Sequence, residues 1–107
     1  MQTSLVRLTR ATLKRIRRNL ADALDQPKRR AALIRDAEAH WMILSGELAH
    51  EDVPEELKTI GVQLAIILDG QFAKLLDPAE LAKEHETSES NLRKLVMILD
   101  GMHALIP

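Results

Sequence analysis

The sequence predicts an all-α fold, a small single-domain bundle of four or five helices. Three observations carry this. Apolar residues recur at steps of three and four, the spacing that lines one face of a helix. No run alternates apolar and polar residues in the manner of a strand. The 4 Gly and 4 Pro are few and mostly sit near the ends of the periodic runs. At 107 residues the chain has room for one modest core, burying about two thirds of the unfolded surface.

The first helix is expected over about 5–24, with Leu13, Ile16, Leu20 and Leu24 as its apolar stripe. Its dense bases oppose the helix dipole at the first turn and favour fraying there. Asp25-Gln26-Pro27 ends it, since proline suits the first turn of a following helix. A second helix over about 27–50 buries Ile34, Ala37, Trp41, Leu44 and Leu48, with Leu33 beside them. Trp41 is the largest apolar group and the expected centre of the core.

The break over 50–56 offers Asp52 as a cap for a third helix, with Glu55 at capping-box spacing. That helix runs to about residue 76 and carries Leu57, Ile60, Leu64, Ile67, Leu68 and Leu75, with Phe72 nearby. Gly61 suits a close approach of a neighbouring helix. Asp77-Pro78-Ala79-Glu80 starts a short fourth helix over about 78–85. The polar stretch 86–90 then stops it and caps a fifth, from residue 88 or 89 to 104, built on Leu92, Leu95, Val96, Leu99 and either His103 or Met102. Leu105-Ile106-Pro107 form a packed tail.

Composition removes several function classes. There is no cysteine, hence no disulfide scaffold, thiol nucleophile or sulfur-ligated zinc, and a reducing, cytoplasmic setting is expected. The apolar runs fall short of the roughly 20 residues that span a bilayer, and the first ten residues lack a signal-peptide pattern. Trp41 and Phe72 are the only aromatics, too few to stack a series of bases or sugars. His40, His50, His85 and His103 are isolated and read as solvated or locally bonded rather than as metal ligands. Neither a nucleophile elbow nor a phosphate-binding glycine loop is present, so no enzyme and no cofactor is expected.

The net charge of -1 conceals a division. Residues 1–35 hold ten bases and two acids, for +8, and residues 36–107 hold five bases and fourteen acids, for -9. Such asymmetry speaks of partners rather than fold. The basic segment 1–25 either lies against its own acidic remainder, sits at the periphery, mediates a homo-oligomer, or meets an anionic partner. Residues 78–104 resemble a helix-turn-helix, with Ser90, Asn91, Arg93 and Lys94 early in the second helix where base edges are read. Arg7, Arg10, Lys14, Arg17 and Arg18 would add phosphate contacts. Against this, the turn lacks its usual glycine, and Glu80, Glu84, Glu86 and Glu89 crowd the same surface.

From Trp41 onward the chain resembles a known family. His40-Trp41-Met42-Ile43-Leu44, Gly46-Glu47-Leu48-Ala49-His50-Glu51-Asp52 and Val53-Pro54-Glu55-Glu56-Leu57-Lys58 are similar to the middle of the flagellar biosynthesis regulator FlaF family. Ile60-Gly61 fits the helix that follows, and 95–102 loosely matches the family's last helix. The resemblance centres on 40–61. It departs at Asp52-Val53, where the family commonly has an asparagine before Leu-Pro, and at 78–91, which looks longer than usual. It implies a non-enzymatic helical regulator that binds a protein partner, flagellin or FlbT, in controlling flagellin synthesis and secretion. Trp41, Met42, Phe72 and Met102 are then the candidates for a partner-binding groove, unless all four fill the core.

Overall fold

The computed structural model describes residues 2–77 and 86–106, with side chains over 4–77 and 89–106. These residues form four α-helices and no strand: α1 Gln2–Asp25, α2 Arg30–Leu48, α3 Glu55–Leu75 and α4 Glu86–Ala104. A single 3-10 turn, Pro27–Arg29, links α1 to α2. The predicted short helix over 78–85 lies outside the described residues, and α4 is the helix expected after it.

The helices close a four-membered ring in which α1 packs on α2 and α4, and α3 on α2 and α4. Cross-links fix the directions. Asn19 Nδ2 donates to Asp36 Oδ2 at 2.7 Å, and Arg30 Nε to the Ala23 carbonyl at 2.9 Å, so α2 runs antiparallel to α1. The Trp41 indole N–H donates to Asp69 at 2.7 Å, setting α3 antiparallel to α2. Arg17 meets Asp100 at 2.8 Å and Arg30 meets Glu89 at 3.3 Å, setting α4 antiparallel to α1. The result is a rod of 44 × 20 × 18 Å.

The predicted stripes become the core. Leu13, Ile16 and Leu20 of α1 are buried, as are all five expected residues of α2. So are Leu57, Ile60, Leu64, Leu68, Phe72 and Leu75 of α3, and Leu92, Leu95, Leu99 and Met102 of α4. The alternative at the end of α4 thus resolves to Met102. Leu24, Ile67 and Val96 only reach the core's edge. Of the expected tail, Ile106 is buried and Leu105 is exposed.

Ala23 and Ala37 are fully buried, and α1 and α2 share the most extensive packing of the helix pairs. The smaller contact of α2 with α3 includes the bulky Trp41 and Phe72. At Gly61 a Cβ would lie 3.2 Å from the Leu48 Cβ, which bears out the expected close approach.

Several local expectations are corrected. α1 is an integral wall of the bundle rather than a peripheral element, because Thr9, Leu13, Ile16, Leu20 and Ala23 all face the core. Its helix starts at Gln2 instead of Leu5. Thr9 is tolerated inside because its hydroxyl donates to the Leu5 carbonyl at 2.8 Å. The N-cap of α3 is Pro54, with no side-chain cap, so Asp52 does not perform that role. Val53 is buried just before it, a contact that holds the chain's entry into α3. Pro27 opens a 3-10 turn, and α2 itself starts at Arg30. There Arg30 reaches back to the carbonyls of Ala23 and Leu24, satisfying acceptors that the end of α1 leaves open. The polar stretch 86–90 is the first turn of α4 rather than a stop before it.

Candidate functional site

The four predicted partner-binding residues do not share a surface. Trp41 is 2% exposed, and Phe72 and Met102 are also buried. These three fill the core. Met42 alone points outward, at 66% exposure.

Other large apolar side chains besides Met42 reach solvent, on α2, on α3 and towards the end of α4. Ile43, Val62, Ile66, Met97 and Leu105 are all exposed, Ile66 at 75% and Met97 at 72%. On each helix they lie opposite the buried stripe. On α2 the outer face reads Ala39, Met42, Ile43 and Gly46, all exposed. On α3 it includes Val62, Ile66, Gly70 and Ala73, and on α4 Met97 and Gly101, with Leu105 just past its end, again all exposed. The signal was available. Positions 62, 66 and 70, and 97, 101 and 105, step by four in a second register once the first stripe is assigned to the core.

The outer stripes of α2 and α3 are level with each other. Trp41 against Asp69 and Leu48 against Gly61 set the register. Antiparallel helices in that register bring Met42 alongside Ile66 and Gly46 alongside Val62. The indole of Trp41 lies beneath this surface, its N–H held by exposed Asp69.

The bases occupy a different region. Arg7, Lys14, Arg17 and Arg18 are exposed on α1, and Arg10 is half-buried. Part of the charge is spent internally, by Arg17 on Asp100 and Arg30 on Glu89. A cleft of about 500 Å³ between α1 and α4 is lined by Lys14, Arg17, Arg18, Asp22, Asp100 and His103 over a floor of Leu13 and Leu99. Its charges are mixed in sign. Ser90, Arg93 and Lys94 are exposed early in α4, and Asn91 is half-buried. The antiparallel register places Arg93 and Arg7 about 25 Å apart along the rod, at 1.5 Å per residue from the Arg17–Asp100 contact. The bases proposed for nucleic acid are therefore spread along the molecule. The turn of the helix-turn-helix resemblance lies outside the described residues.

His40 Nε2 approaches Asp36 at 3.6 Å, and His50 is exposed. The buried Nε2 atoms of His40 and His103 have no hydrogen-bond partner among the described residues. His85 lies outside them. No group of three or more metal-ligating side chains occurs among the described residues. No described helix is long and apolar enough to cross a membrane. Comparison with family models, with curated proteins and with solved structures returned no match to this chain.

Proposed function

We propose that this chain is a non-enzymatic, protein-binding regulator acting in the cytoplasm. One observation supports it most: α2 and α3, which pack on each other, each carry a second apolar stripe on the side away from the core. Contiguous exposed apolar surface of this kind is typical of interaction sites. The mechanism would be occlusion or presentation of a partner helix laid on the outer face of the bundle.

The likeness of 40–61 to the FlaF family makes flagellin or FlbT the first partners to try, with control of flagellin synthesis or secretion as the role. The test is affinity capture from extract of the source organism with and without nuclease, using wild type beside the double variant Ile66→Glu, Met97→Glu. Recovery of flagellin or FlbT by wild type and its loss in the variant supports the proposal. Recovery of DNA fragments instead, lost with nuclease and with added salt, would overturn it. The ligand would then lie against Ser90, Asn91, Arg93 and Lys94, and the exposure of Ser90, Arg93 and Lys94 in the first turns of α4 favours that second reading. A homo-oligomer as the sole recovered species would also overturn it.

A further inference from the structure

We infer that the outer α2–α3 surface, centred on Met42, Val62 and Ile66, docks a basic amphipathic helix of a partner protein. This rests on the protein-binding reading and adds the site and the chemistry of its occupant. Three features select it.

The first is shape. Between the level of Ala39 and Gly70 at one end and Ala49 and Thr59 at the other, the surface runs about 15 Å, three turns of a guest helix. A Cβ added at Gly46 or Gly70 would meet no atom within 4 Å. The scaffold is thus open at those positions, and a guest backbone can approach closely. Met42, Val62 and Ile66 stand as exposed apolar contacts around them.

The second is charge. At the end of this surface where α2 gives way to α3, Glu47, Glu51, Asp52, Glu55 and Glu56 are all exposed. None of the five forms an ion pair with a described residue. Lys58 is the one base among them and is half-buried. An apolar patch with an acidic end fits a helix that has an apolar stripe and bases beside it.

The third is the exclusion of other occupants. A parallel second copy of the same face would set acids against acids, and an antiparallel one would offer each end of five carboxylates only Arg35 and Lys74. The outer face of α1 in a second copy is basic, but Leu8 and Ala11 are its only exposed apolar residues, too little to cover the patch. An anionic lipid surface is repelled by the same five acids.

The experiment uses the full chain and two synthetic peptides of about 18 residues, long enough to be helical. They share one leucine stripe, and their polar face is lysine in one and glutamate in the other. Binding is read by calorimetry and by the fluorescence of Trp41, the single tryptophan, which lies under the patch. The lysine peptide is expected to bind at least about tenfold more tightly than the glutamate peptide. Ile66→Glu should weaken it about tenfold with an unchanged circular dichroism spectrum. The pair Glu55→Lys, Glu56→Lys, which leaves the apolar patch intact, should reduce the preference between peptides.

Equal binding of both peptides, or no binding of either, would overturn the inference. So would loss of binding on Arg18→Glu in α1 in place of Ile66→Glu, or Ile66-dependent self-association. The failures separate. If flagellin or FlbT is captured through the outer faces while the peptides do not discriminate, this inference alone falls. If neither partner is captured, the broader proposal falls with it.

Discussion

α1 and α3 face each other across the bundle and differ in what they show to solvent. Each buries an unbroken stripe. Outside, α1 displays Arg7, Lys14, Arg15 and Arg18, whereas α3 displays Val62, Ile66, Gly70 and Ala73. α1 packs extensively on α2, with the small Ala23 and Ala37 buried, while α3 meets α2 over a smaller contact that includes Trp41 and Phe72. The lesson is that a helix with one apolar face is explained by its own core, and a helix with two requires something outside it.

The largest test of this contrast is in the core. Leu20→Ala in α1 should cost about 3–5 kcal/mol and Leu68→Ala in α3 about 2–3 kcal/mol, because the less extensively packed helix can settle inward over the cavity. Urea unfolding measures both, and equal costs would break the comparison. Hydrogen exchange sharpens it: amides at the centre of α1 should exchange more slowly than those of α3. Next comes the bond that ties α3 to α2. Asp69→Ala should cost about 1–2 kcal/mol, since it strips the partner from the Trp41 N–H, and the tryptophan emission should shift with it.

The glycines give smaller effects of opposite sign. Gly46→Ala, Gly70→Ala and Gly101→Ala meet open space and should each add about 0.5–1 kcal/mol of stability. Gly61→Ala should lose about 1 kcal/mol, because its Cβ presses on Leu48. Thermal unfolding of the four variants reads the difference. The smallest effect belongs to Arg17→Ala, which removes a half-exposed ion pair with Asp100. It should cost about 0.2–1 kcal/mol and nothing measurable in about 1 M salt.

Helix count and core were legible because burial imposes a period. Ile34, Ala37, Trp41, Leu44 and Leu48 could be read straight off the spacing and are all buried. Caps were less legible. Asp52 has the right chemistry, but Val53 is buried just after it and the helix begins beyond Pro54. The candidate site is less legible for a related reason. Trp41, Phe72 and Met102 are large apolar groups that suit a groove, and size is also what fills a core. Ile66 and Met97 are hidden in the pattern because one periodic stripe already accounts for their helices. The mixed balance of charge was visible in full, but its pairing was not. Nothing in the spacing announces that Arg17 meets a residue 83 positions away.

The contact between Gly61 and Leu48 makes two distant positions behave as one inherited unit. A larger residue at 61 becomes acceptable once 48 shrinks, so Leu48→Ala should rescue part of the loss from Gly61→Ala even though each change alone is harmful. Chains descended from a common ancestor with this one would then vary at 48 and 61 together, trading volume across the gap. That paired drift would trace the seam between two helices in sequences whose structures have never been seen.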